Sequence, residues 1–307
     1  MQSNVFSFLT LPPLVVPQFL PNLSDLNIYM GDLEDLTPTV YAFNYELTTP
    51  LFTDYSNKQR LIMLPLGQSM QFIDDGFPEF PDGTVISKTF YYNIDDRDES
   101  LGKTIIETRL LIKMNGSWEL GNYHWNSDQS DAVLATDAVN LPVSYIDEEG
   151  ESIDIDYVIP SQQDCFTCHS NAGNETPIGP RLRTMNLNNQ LQELIDLNYL
   201  AGVADVSSIS KLPDWTDASN YGREERARAY FDVNCAHCHS VGGFCEIQST
   251  LRLQYETAFD DTNIFNQRFS ILNRMQEYIQ GFSMPLIGTT RVHTEGYALI
   301  ESYLNSL

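Results

Sequence analysis

The chain has 307 residues, 42% of them hydrophobic and 19% charged, which excludes wholesale disorder and leaves room for two cores. A formal net charge of -25 argues against nucleic acid or anionic lipid as partners, and suits basic partners or simple solubility. No apolar run is long enough to span a bilayer, so no transmembrane segment is expected.

Residues 1–25 read as an irregular lead-in. Within them, residues 5–20 (VFSFLTLPPLVVPQFL) are apolar but broken by prolines and follow no basic residue, a poor match to a signal peptide. Residues 26–158 read as a β-rich domain. Short β-branched and aromatic runs at Arg60–Leu64, Val85–Ile94, Thr104–Met114 and Trp118–Trp125 alternate with turn signals at Asp75-Gly76, Pro81-Asp82-Gly83 and Asn115-Gly116. Asn115-Gly116, between two strand-like runs, predicts a hairpin. An antiparallel β sandwich or barrel-like domain is expected.

The texture changes after Pro160. Helical spacing appears at Leu187–Leu200, Arg223–Phe231, Ile264–Ile279 and Thr294–Leu307. In the last of these, Ala298, Leu299, Leu304 and Leu307 form the expected buried set, with Thr294 and Glu295 at its start.

Four of the five cysteines fall in two CxxCH pentapeptides, Cys165-Phe166-Thr167-Cys168-His169 and Cys235-Ala236-His237-Cys238-His239. Two thiols with two residues between them can add to the two vinyl groups of one porphyrin, and the following histidine then reaches the iron. Zinc would need two further ligands per motif, and only His124, His237, His293, Cys245 and the acids remain. Two covalent haem c groups are therefore expected, held by Cys165, Cys168, Cys235 and Cys238, with His169 and His239 as iron ligands. Haem would also let short helices fold around it, with Tyr230 and Phe231 on the haem side. Residues 159–307 are thus expected to be a mainly α-helical, class I cytochrome c-like di-haem domain, making the chain α+β with two domains.

Met284, in a Ser-Met-Pro-Leu loop between two helices, is the expected sixth ligand of the second haem. Met275 reads as core, His293 as a surface or capping residue, His237 as a solvent-facing filler and Cys245 as a buried structural thiol. For the first haem Met185 and His124 are both candidates, and neither spacing decides between them.

Beyond the motifs, the chain resembles a largely uncharacterised family of bacterial di-haem c-type cytochromes with a β-rich N-terminal domain. The resemblance runs from about residue 24 to the C-terminus. It is carried by Thr49-Pro50-Leu51-Phe52-Thr53-Asp54-Tyr55 with Lys58 and Arg60, by Gly83-Thr84 with Lys88-Thr89-Phe90, and by Glu107-Thr108-Arg109-Leu110-Leu111. Trp118, Trp125, Pro177-Ile178-Gly179-Pro180, Ala227-Arg228-Ala229-Tyr230, Met284-Pro285, Glu295-Gly296 and Ala298-Leu299-Ile300 complete it. The stretch 240–262, which carries Cys245, departs from the family pattern.

The resemblance implies an exported electron-transfer protein with no assigned substrate. Covalent haem is attached outside the cytoplasm, so a periplasmic or cell-surface location is expected, with the export signal missing from this chain. The leading expectation is an electron carrier or relay for redox partners with basic docking patches. The alternative is a peroxidase-like di-haem oxidoreductase with one open haem.

Overall fold

In the computed structural model residues 12–307 are described; residues 1–11 of the expected lead-in, with the start of the apolar 5–20 segment, lie outside the described residues. Six strands form the main sheet: β1 (Ala42–Asn44), β2 (Asn57–Met63), β3 (Val85–Asn93), β4 (Lys103–Met114), β5 (Ser117–Trp125) and β6 (Ala132–Ala135). They pair antiparallel in that order, so sequence neighbours are sheet neighbours. The β4–β5 hairpin turns on Asn115 (φ 53°) and Gly116 (φ 82°), and both central residues are left-handed, as a type I′ turn requires. A separate hairpin, β7 (Val139–Ile146) with β8 (Ser152–Ile159), packs Val143, Tyr145, Ile155 and Tyr157 against Tyr92 and Ile106.

Strand alternation gives the main sheet two apolar faces, as the consecutive Leu110-Leu111-Ile112 shows. One face (Leu61, Met63, Val85, Leu110, Ile112, Tyr123) is covered by Leu23, Leu26 and Ile28 of the N-terminal segment. The other (Ile62, Ile86, Leu111, Trp118, Leu120) is covered from beyond residue 160. After α1 (Gln162–His169), the short helices α2 (Leu182–Met185) and α3 (Gln190–Asp196) bring Leu182, Met185, Leu191 and Leu194 onto it, joined by Leu200 and Ile209.

This arrangement corrects the expected fold class. The β region is not a self-contained sandwich or barrel, because one core runs through the main sheet and the chain beyond residue 160. Nor is the rest a mainly α-helical, class I cytochrome c-like domain: the fold is mixed, built on a large antiparallel sheet, and only 24% helical. The physical reason is local. The periodic stretch 187–200 yields a helix only over α3, because Asn188, Asn189 and Asn198 take left-handed conformations (φ 49°, 61° and 60°) that break the helical backbone.

A second core gathers around three longer helices, α4 (Arg223–Asn234), α5 (Ile264–Met275) and α6 (Thr294–Leu304). Tyr230 and Phe231 of α4 meet Leu251, Leu253, Ile271, Leu299 and Ile300 there. The buried stripe of α6 is Gly296, Leu299, Ile300, Tyr303 and Leu304, so Leu299 and Leu304 are buried as expected while Ala298 and Leu307 are exposed. Gly296 sets that rotation. A Cβ there would lie 2.5 Å from the ring of Tyr230, so only glycine lets α6 approach α4 this closely. Gly296→Ala should therefore destabilise the protein by roughly 1–3 kcal/mol through overpacking. The urea midpoint measures this, and an unchanged midpoint would show that α6 can move aside freely. Among the described residues no helix is long and apolar enough to cross a membrane.

Candidate functional site

The first CxxCH motif lies on α1. Ser161 Oγ accepts a hydrogen bond from the Asp164 amide, and Asp164 accepts one from the Ser161 amide at 3.0 Å, a capping box that starts the helix. Cys165, Cys168 and His169 then fall at i, i+3 and i+4, on one helical face. All three line a cavity of about 120 Å³, or about 1310 Å³ of atom-free space with its open mouth included, whose apolar walls include Leu51, Phe52, Leu120, Pro177 and Ile178. His169 Nδ1 donates to the Thr176 carbonyl at 2.8 Å. That bond leaves Nε2 with the free lone pair and fixes the ring, the arrangement of a histidine that ligates a metal. Burial pushes His169 down to about 3, so the imidazole is neutral.

The second motif follows the end of α4. The amides of Cys238 and His239 both donate to the Cys235 carbonyl, at 3.1 and 2.9 Å, winding the chain into a tight turn. Cys235, Cys238 and His239 line a second cavity of about 470 Å³, with Phe231, Leu251, Leu253, Ile271 and Met284 among its walls. Burial pushes Cys235 up to about 12 and His239 down to about 4. His239 Nδ1 is buried with no hydrogen-bond partner.

The fold brings the two motifs together. Ligand atoms of Cys168, His237 and Cys238 lie within 4.8 Å of one another, and Cys168, Asn234, His237, Pro285 and Ile287 line both cavities. The close approach of the two thiols, with His237 beside them, pulls Cys168 down and pushes Cys238 up. Expected as a solvent-facing filler, His237 instead stands in the wall between the cavities with a buried, unpartnered Nδ1. No spacing in the sequence carries that signal, because it depends on motifs 70 residues apart meeting.

Of the expected sixth ligands, Met284 lines the second cavity together with His239. Met275 lines it too while belonging to the adjacent core. Met185 is fully buried in the sheet core, and His124 sits on β5 with its Nε2 buried and unpartnered; neither lines the first cavity. His293 precedes α6, stacks on Phe52 at 4.2 Å and lies 3.0 Å from the Tyr230 hydroxyl. Cys245 is only partly buried and lines the second cavity. Arg60, Lys88 and Arg109, which the sequence does not single out as site residues, form a charged wall of the first cavity.

Each cavity thus presents two thiols and a neutral imidazole from one stretch of chain to a largely apolar space. This donor set fits a covalently attached haem. No family model, curated protein or solved structure matches the chain.

Proposed function

We propose that this protein is an exported di-haem c-type cytochrome that relays electrons, akin to the bacterial family it resembles. The observation that carries the reading is the juxtaposition of two complete CxxCH motifs across a shared wall, each opening onto its own cavity. Cys165 and Cys168 would hold one haem with His169 on its iron, and Cys235 and Cys238 the other with His239 and Met284. The bound haems supply one-electron chemistry. The chain orients the His169 imidazole through Thr176, keeps both imidazoles neutral and surrounds the plates with apolar side chains that limit water. A thioether ligand from Met284 would set the second haem at a higher potential than a bis-histidine site. The net charge of -25 suits encounter with a partner carrying a basic patch, and covalent haem suits a periplasmic or cell-surface location.

The placement of Met185 and His124 outside the first cavity favours a second reading, a peroxidase-like oxidoreductase whose first haem is open. Carbon monoxide added to reduced protein, and cyanide or peroxide to oxidised protein, separates the two. Inertness at both haems supports the relay, whereas rapid binding at one haem with peroxide turnover supports the enzyme.

The haem assignment itself is tested by the mass of the mature protein. Two haem masses that survive denaturation are expected. A single haem, haem released by acidified solvent, or one zinc ion held by the Cys168–His237–Cys238 cluster without haem would overturn it.

A further inference from the structure

Three cations stand side by side across the middle of the main sheet. Arg60 of β2 pairs with Lys88 of β3, and Lys88 pairs with Arg109 of β4. Directly opposed residues share a sheet face, and like charges so placed repel. All three line the first cavity beside Cys165, Cys168 and His169. The chain has only 17 lysines and arginines against 42 acids, so a row of three, one buried and two partly buried, needs a reason.

The acids nearby do not supply it. Glu107 is fully buried and already committed: it takes Arg109 Nε at 2.9 Å, Asn122 Nδ2 at 2.7 Å and the Tyr157 hydroxyl at 2.7 Å. Asp232, in the same cavity wall, is held by Arg181 and Arg183 at 3.1 and 3.0 Å. Asp164 is spent on the cap of α1. Arg60 and Lys88 form no ion pair among the described residues, and Arg60 is only 8% exposed. Lys88 is partly buried, and desolvation with the flanking guanidiniums drives its amine well below the ordinary lysine range. The ring of Phe90, 4.8 Å from Lys88 Nζ and 4.4 Å from Arg109 Cζ, eases the crowding without neutralising it. With Arg109 matched by Glu107, the row leaves two basic side chains, Arg60 and Lys88, on the cavity wall with no acid partner.

We infer that Arg60 and Lys88, supported by Arg109, bind the two propionate carboxylates of the haem attached at Cys165 and Cys168. The inference rests on the di-haem reading and deepens it. The main sheet then supplies the anion clamp of the first haem, while α1 supplies its covalent and iron bonds. Two carboxylates match the two unpartnered basic side chains, and a carboxylate beside Lys88 would favour its charged, donating form.

The test uses holoprotein of the wild type and of Lys88→Met, Arg60→Met and Lys88→Arg, with both attachments verified by mass. Resonance Raman spectroscopy reads the propionate bending vibrations, and potentiometry reads each haem. In Lys88→Met and Arg60→Met the propionate band of one haem should shift and the potential of that haem should fall. The other haem should not change, and Lys88→Arg should stay close to wild type. Wild-type protein titrated with sulfate or inorganic phosphate should show no saturable spectral change. Unmoved propionate bands in fully loaded variants would overturn the inference and leave the di-haem reading intact. Saturable anion binding to the wild type would also overturn it, making the row a site for a soluble anion, and this arm needs no variant to fold. Wild-type protein without haem at Cys165 and Cys168 would remove the di-haem reading, and this inference with it.

Discussion

Glu107→Ala should destabilise the protein by about 3–5 kcal/mol, the range for breaking a buried ion pair by removing one partner. Glu107 is fully buried and is the one acid within the cationic row. Its removal leaves Arg109 unpaired beside Lys88 and strands the Tyr157 hydroxyl and the Asn122 amide. Glu107→Gln keeps the shape and an acceptor, so it should recover part of the loss and not the charge. The pH dependence follows from the same contacts. Burial pushes the Glu107 carboxyl up, but the charge of Arg109 and the hydrogen bonds from Arg109, Tyr157 and Asn122 outweigh it and hold the group below its ordinary range. A depressed folded-state pKa contributes stability that is present above the unfolded value of about 4.3 and lost as pH falls through the folded value. Urea midpoints between pH 7 and pH 3 should therefore fall more steeply below about pH 4.3 in the wild type than in Glu107→Gln. Parallel curves would show that the carboxylate is not what the row leans on.

If the proposed di-haem reading holds, Met284→Ala should abolish the sulfur–iron charge-transfer band of one haem and lower that haem's potential on the order of 0.1 V, a fraction of the span that axial ligands control. Met284 and His239 line the same cavity, and a thioether stabilises the reduced iron more than water or an imidazole does. Met275→Ala is the control, because Met275 touches the same cavity from α5 but belongs to its apolar core. It should cost packing stability, roughly 2–5 kcal/mol for a buried methionine, and leave the band in place. A band lost in Met275→Ala and kept in Met284→Ala would exchange their roles.

What could be read ahead of the structure was what is local in the chain. The strands β2 to β5 follow from alternation and β-branched runs, and the Asn115-Gly116 turn from its two left-handed positions. The two CxxCH pentapeptides are equally local, and the haem they are proposed to hold would be bound within five residues each. The buried face of the last helix is half legible, in Leu299 and Leu304. Ala298 and Leu307 were expected inside where Gly296, Ile300 and Tyr303 are buried, because the close approach to Tyr230 sets the rotation of α6. Leu110-Leu111-Ile112 shows that the sheet needs cover on both faces, yet nothing in that run says that Leu182 to Ile209 supplies it. Nor does the spacing around Met185 or His124 reveal that one is packed into the sheet core and the other stands on β5 outside the first cavity. The cationic row needs strand register: Arg60, Lys88 and Arg109 become neighbours only once β2, β3 and β4 are aligned.

The shared core also constrains how the protein can be made. Phe43 and Trp118 belong to the same apolar cluster as Leu182, Leu200 and Ile209, so during synthesis the sheet strands emerge well before the segment that covers them. Until that segment arrives, an uncovered apolar face is presented to solvent and to other chains. Folding is then governed by contacts distant in sequence, which are slow to form, and the waiting intermediate is prone to aggregate. A fragment ending near residue 160 would be permanently in that state. Expression of the β region alone should fail for want of its cover, even though every strand in it is intact.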